Sequence, residues 1–303
     1  MGHGALALNE TRVADWSYFI MQVSYLLRLY EIGQRNFAGV DLRGADLSGI
    51  TLIEVDLRGA NLTGANLSRA FLTKSNLSGA LLNWGNLSYA KLSASQLTDA
   101  DLTKANLNGA FMVKSNLSKA KLSGANMTAV NLRGANLEKS NLCGANLQGI
   151  NLRGANLNDA NLKWANLSGA RLIGATVYGA LLNGVNLSEA FLHGVDFSGA
   201  DLNGANLNGA KLSDQLQAAN LAAINLSEAQ MRGLSWLGTD LSGNERMRAF
   251  FYKANLKWNL RNDVPCDEML FALPKVQPLK STTVASNKKC GELLIAPHCE
   301  KLF

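Results

Sequence analysis

Hydrophobic residues recur in this chain every five positions. From Leu42 to Leu212 every fifth residue is Leu, Met, Val or Phe, 35 consecutive positions without a break, and Phe37 extends the series. Two residues before each sits a small residue, most often Ala and elsewhere Ser, Val, Ile or Gly. The unit reads A-(N/D)-L-x-x, as in Ala60-Asn61-Leu62-Thr63-Gly64. A period of five fits neither the ~3.6 of an α-helix nor the ~2 of a strand. The two apolar positions, two apart, point the same way along a short extended segment, so the other three residues turn a corner. Chain that turns after every five residues closes into a coil and stacks on itself, with Leu and Ala inside. A buried Leu contributes roughly 1.5–3 kcal/mol, so several dozen hold such a stack together without a globular core. The pattern predicts an all-β solenoid.

A second period of twenty lies on top of the first. The residue before each central Leu is Asn or Asp in most units, with twelve exceptions between Thr51 and Lys211. Sorted into four columns by steps of twenty, the column Asp46, Asn66, Asn86, Asn106, Asn126, Asn146, Asn166, Asn186, Asn206 contains no exception. The column Thr51, Phe71, Lys91, Phe111, Asn131, Asn151, Arg171, Phe191, Lys211 contains seven of the twelve. Trp84 and Trp164 are also separated by a multiple of twenty. Four five-residue units per turn follow, hence four sides. The Asn column predicts a ladder of stacked side-chain amides.

The series steps by four between Leu212 and Leu216, then resumes at Leu221, Leu226, Met231, Trp236 and Leu241. This predicts an irregular corner near Asp214 inside a continuing coil. Both runs together make about ten turns, a stack on the order of 50 Å long at the inter-strand spacing. Open ends of such a stack expose unpaired backbone groups, and the flanks are suited to cover them. Residues 9–33 read as a helix with Asn9 to cap it and Gly33 to end it. Residues 245–260 read as a second helix, and the chain after Pro265 loses its periodicity. The predicted organisation is an N-terminal capping helix over 1–36, the repeat coil over 37–243, and a helical then irregular segment over 244–303.

Composition narrows the classes. Charged residues make up 17% of the chain, against roughly 25% in an average soluble domain. The net charge of +6 is too small for a general nucleic-acid coat. Residues 38–243 hold fourteen acids and sixteen bases, which excludes a strongly acidic surface. Four cysteines, Cys143, Cys266, Cys290 and Cys299, do not make a disulfide scaffold. The start MGHGALALNETR lacks a basic segment followed by an apolar run, and polar residues interrupt the stretch from Trp16 to Ile32. A reduced, cytoplasmic location is the expectation, peripheral to a membrane-bound complex at most.

These five-residue units resemble those of the pentapeptide repeat family. The resemblance implies a right-handed quadrilateral β-helix with four repeats per coil. The segment LLRLYEIGQRNFAGVDLRGADL (26–47) is similar to the start of the coil in cyanobacterial members. Family members that protect DNA gyrase mimic duplex DNA through a strongly acidic surface. This chain departs from that pattern, and its charge disfavours steering into a positive DNA-binding saddle.

Catalytic and metal chemistry find no support in the sequence. The three histidines, His3, His193 and His298, have no Ser–His–acid or Cys–His context, and no phosphate-binding loop is present. Cys266, Cys290, His298 and Cys299 match no compact zinc spacing. Cys143 falls on an outward corner as a free thiol. The Asn-Leu-Ser and Asn-Leu-Thr sequons are by-products of the repeat. No enzyme activity, cofactor, metal or small-molecule substrate is expected.

The informative column is the one rich in exceptions. Its outward positions carry Phe71, Lys74, Lys91, Phe111, Val113, Lys114, Arg133, Arg153, Arg171, Ile173, Phe191, His193 and Lys211. Seven bases stand there against two acids, Glu54 and Asp214. Outward Phe exposes apolar surface with no local gain, and stacked bases repel one another. Aromatic residues and Arg are enriched at interfaces, so the column predicts a docking face for a protein partner with an acidic patch. Phe71, Lys74, Lys91, Phe111, Lys114, Arg133, Arg153, Arg171, Phe191 and Lys211 form that face. Other readings of the same residues are coil stabilisation, single-stranded nucleic acid and an anionic membrane surface. The expected function is a non-catalytic scaffold or adaptor, with large photosynthetic assemblies as plausible partners and a homodimer through an end coil also compatible. A gyrase-type protector is the runner-up.

Overall fold

In a computed structural model, residues 21–212 and the backbone at 230–231 are described. They lie in the first of two compact units, Met1–Ala254. The second, Asn255–Phe303, lies outside the described residues, as does the proposed helix at 245–260.

One unit shows why this sequence coils. The Asn61 N–H donates back to Val40 O at 2.9 Å, and the Leu62 N–H donates forward to Leu81 O at 2.7 Å. The Gly64 N–H donates forward to Asn83 O at 3.0 Å, while the Ala65 N–H closes the turn on Leu62 O at 3.0 Å. Thr63 is left with a donor that neither neighbour nor turn takes, and the Asn61 Oδ1 accepts it at 3.2 Å. All five donors are satisfied, as buried or half-buried backbone requires. The preference for Asn or Asp before each Leu is therefore a hydrogen-bonding requirement, an Asx turn repeated along the chain.

The corner has its own requirement. Every fifth residue from Gly39 to Gly209 has a positive φ, the third position of a type II turn. Glycine fills most of these positions, but Lys74, Trp84, Tyr89, Lys114 and Trp164 also adopt φ between +56° and +62°.

Parallel bridges join each residue before a Leu to the one twenty later, from Asn36↔Asp56 to Phe191↔Lys211. Twenty residues per turn and four sides are thus observed directly. The central Leu, Met, Val and Phe residues and the small residues two before them make one continuous core, nearly all of it solvent-free. Where Ser replaces Ala it is also buried, and its hydroxyl donates to a carbonyl, as from Ser75 to Leu52 O at 2.8 Å and from Ser95 to Leu72 O at 2.6 Å. The predicted amide ladder is present. The Asn86 side chain donates to Asn66 at 3.1 Å, Asn106 to Asn86 at 3.3 Å and Asn126 to Asn106 at 3.1 Å. It breaks once, where Asn146 turns to the Thr128 hydroxyl.

Strands β1 (Lys211–Leu212) and β2 (Gln230–Met231) pair in parallel with Lys211 opposite Gln230. The step there is nineteen, so stacking continues across the missing residue that the sequence marks near Asp214.

The N-terminal expectation needs correction. Among the described residues helix α1 covers Val23–Glu31, and the predicted helix is interrupted before it by Gln22, extended at φ −69° and ψ 132°; residues 9–20 lie outside the described residues. An edge contact lies there: the Met21 N–H pairs with Asp41 O at 2.8 Å, a carbonyl on the first described turn of the coil. Asn9 lies outside the described residues. Gly33 does end the helix, at φ +97°, with Gly33 N–H on Tyr30 O and Gln34 N–H on Leu29 O. That pair is a Schellman motif. Leu26 is fully buried, and Val23, Leu27, Leu29 and Tyr30 pack against the same core.

Candidate docking face

The ten residues singled out by the sequence all fall on one side of the coil and its following corner. Thr51, Phe71, Lys91, Phe111, Asn131, Asn151, Arg171, Phe191 and Lys211 bridge one to the next in that order. Phe71, Lys91, Phe111, Arg171, Phe191 and Lys211 occupy the flat positions before their Leu residues. Arg133 and Arg153 follow their Leu residues, and Lys74 and Lys114 stand at the corner with φ of +60° and +56°.

Holding Phe, Lys or Arg in the flat position has a local consequence. None of these side chains can accept a hydrogen bond, so the following N–H loses the Asx acceptor found elsewhere. A typical intramolecular hydrogen bond is worth about 1 kcal/mol. The other sides keep Asn or Asp at most of their turns, whereas this one gives the acceptor up at most of its turns.

The side chains sort into three groups. Lys74 is neutralised by Glu54, 2.8 Å from Nζ to Oε1. That partner raises the Lys74 ammonium above its ordinary value, and Lys74 holds the Glu54 carboxyl below its own. Two cations lie on aromatic rings: Lys91 Nζ is 3.4 Å from the Phe111 ring centre, and Lys211 Nζ is 4.2 Å from that of Phe191. Such contacts contribute roughly 0.5–1 kcal/mol at exposed sites. Lys91, Phe191 and Lys211 are consequently half-buried rather than fully outward, whereas Phe71 and Phe111 stay 43% and 40% exposed. The third group, Lys114, Arg133, Arg153 and Arg171, is exposed and makes no ion pair among the described residues. It occupies four consecutive turns.

A feature that sequence reasoning used only for phasing is a second exposed aromatic set. Trp84 and Trp164 stand 61% and 69% exposed at the same corner, four turns apart, with Leu81 and Leu181 on the side leading to it. Lys104 Nζ lies 4.4 Å from the Trp84 ring centre. The multiple-of-twenty spacing placed the two Trp in one column, but only the positive φ and exposure show that they project from the surface.

Cys143 is a free, half-buried thiol. Among the described residues no cluster of His, Cys, Asp and Glu could hold a metal ion, and no helix is long and apolar enough to cross a membrane. Cys266, Cys290, His298 and Cys299 lie outside them.

The family model for pentapeptide repeats matches in overlapping copies from residue 36 to 214. Among solved structures, HetL, a pentapeptide repeat protein involved in heterocyst differentiation regulation from the cyanobacterium Nostoc sp. strain PCC 7120, is 32% identical with a TM-score of 0.55. The match covers 71% of this chain and 97% of HetL. A second Nostoc protein, alr5209, is 32% identical over 39% of this chain and 84% of its own length, with a TM-score of 0.17. QnrB1, a plasmid-mediated fluoroquinolone resistance protein, is 18% identical over 68% of this chain and 100% of its own, with a TM-score of 0.44. No curated protein sequence matches the chain.

Proposed function

The chain belongs to the pentapeptide repeat family, whose coil is a right-handed quadrilateral β-helix, and we propose that it is a non-catalytic scaffold docking partner proteins on the basic side of that coil. The observation that carries this reading is the substitution of Phe, Lys and Arg for Asn along one side. Those residues forgo a turn hydrogen bond at each position, expose aromatic surface and gather positive charge. The Lys91–Phe111 and Phe191–Lys211 contacts give part of that back to the coil, but Phe71 and the unpaired Lys114, Arg133, Arg153 and Arg171 give it nothing comparable. Aromatic anchors and Arg are what protein interfaces favour, and unpaired cations suit an acidic partner.

The Nostoc relatives at 32% identity agree with the cyanobacterial likeness of residues 26–47. We extend the proposal to a cytoplasmic adaptor for large assemblies rich in acidic subunits, photosynthetic ones included. A gyrase-type protector is the weaker reading, because sixteen bases and fourteen acids over 38–243 make a poor copy of duplex DNA.

The test is capture of partners from the native source by wild type and by Lys91→Glu/Phe111→Ser/Arg171→Glu, followed by mass spectrometry. Loss of the same partners in the triple variant, with its melt close to wild type, supports the reading. The control Ser68→Gln/Ser88→Gln/Ser168→Gln on the Asn side should keep them. Equal loss from both variants would overturn the assignment of this face.

A further inference from the structure

We infer that the element docking on this side is an acidic α-helix of the partner, laid along the coil with one carboxylate per helical turn. This rests on the docking reading above and adds the chemistry and shape of the occupant.

Three observations converge. First, the coil offers an extended peptide no strand edge to pair with. On this side, in units such as Phe111–Ser115, the Phe111, Met112, Lys114 and Ser115 N–H groups are taken by the carbonyls of Ala90, Asn131, Arg133 and Met112, which leaves at most one N–H per turn for a partner. Those single donors recur about every 4.8 Å, out of step with the roughly 6.6 Å between same-side carbonyls of a strand, and strand addition needs a continuous free edge. A helix satisfies its own backbone and needs only side-chain recognition.

Second, the spacing of the unpaired cations fits a helix. Lys114, Arg133, Arg153 and Arg171 sit on consecutive turns, as the bridges Phe111↔Asn131, Asn131↔Asn151 and Asn151↔Arg171 establish. Turns stack about 4.8 Å apart, so the row spans about 14 Å along the axis. It spans somewhat more along its true line, which slants from the corner at Lys114 to the flat at Arg171. Carboxylates at positions i, i+4, i+7 and i+11 of a helix span about 16 Å on one face. The same four on alternate residues of a strand would span about 20 Å.

Third, the corner is bare where the arginines stand. Gly134, Gly154 and Gly174 follow along this edge, and a Cβ placed on Gly154 or Gly174 would meet nothing within 4 Å. A helix can approach there without obstruction. The row is bounded by the Lys91–Phe111 pair at one end and the Phe191–Lys211 pair at the other.

The experiment uses the full chain and three labelled 18-residue peptides of equal charge, read by fluorescence anisotropy at low ionic strength. One is an Ala-rich helix with Glu at i, i+4, i+7 and i+11. The second is an Ala-rich helix of equal helicity with its four Glu dispersed around all faces. The third carries Glu on alternate residues of a β-branched host. Losing two or three aligned ion pairs should weaken binding about tenfold, so the one-faced helix should bind about tenfold tighter than the other two. That preference should shrink as salt rises and screening shortens. Arg133→Glu/Arg153→Glu should remove the preference while leaving the melt near wild type. Equal binding of the two helices, or tighter binding of the alternating peptide, would overturn the inference. If the triple variant of the preceding section still loses its native partners in that case, the docking reading stands and only the helix falls. If that variant keeps every partner, both fall.

Discussion

Removing one leucine from the middle of the stack tests the architecture at its most exacting point. Leu122 is fully buried, and its unit is held between neighbours on both sides, through the bridges Asp101↔Lys121 and Lys121↔Asn141. Its own N–H donates to Asn141 O at 2.7 Å. Backbone pinned from both directions cannot collapse into the space that Leu122→Ala leaves. The loss should therefore fall in the middle to upper part of the usual range, about 3–4 kcal/mol. For a chain of this size that lowers the melting temperature on the order of 10 °C. Leu122→Asp should go further and abolish folding of the central turns, since an unpaired charge would sit among Leu and Ala. The neighbouring Ser123 is half-buried and points outward, so Ser123→Asp should stay within about 0.5 kcal/mol of wild type. Far-UV circular-dichroism melts compare the three. Equal destabilisation by Leu122→Ala and Ser123→Asp would refute the inward and outward assignment on which every later step depends.

Corner geometry and surface charge give three further expectations. Gly109 has a φ of +64° and a Cβ there would lie 2.6 Å from the Tyr89 ring, so Gly109→Ala should cost about 1–3 kcal/mol. Ala129, at φ +56° with the same corner role, should instead gain roughly 0.5–1 kcal/mol on Ala129→Gly, both read by urea unfolding. The Arg58 side chain grips the Asp56 carboxyl and holds it below its ordinary value of 3.8. A depressed carboxylate stabilises the fold fully above that ordinary value and loses its contribution as pH falls below it. Asp56→Asn keeps the acceptor for the Arg58 N–H, so melts should show it less stable by under about 1 kcal/mol from pH 5 to 8. The gap should close at more acidic pH; a gap that persists there would mean the ion pair contributes nothing.

The sequence by itself determined the coil. A period of five with two same-side apolar positions permits no helix and no long strand, and the superposed twenty names which residues stack. Even the register slip past Leu212 was written as a single missing residue, because parallel stacking ties each position to a fixed offset in the chain. The preference for Asn was legible as a pattern, but its cause was not. Only the folded turn shows that Asn61 supplies the acceptor for an N–H that no neighbour reaches. The length of α1 was likewise decided by tertiary structure. Residues 9–33 read as one helix, yet Gln22 is extended and the Met21 N–H beside it is taken by Asp41 O on the first described turn of the coil. On the basic side, sequence placed ten residues in one column but could not separate them. Lys74 is taken by Glu54, and Lys91 and Lys211 lie on rings one turn away. Which charges remain unpaired depends on side chains twenty residues apart meeting in space, and that distance along the chain carries no local signal.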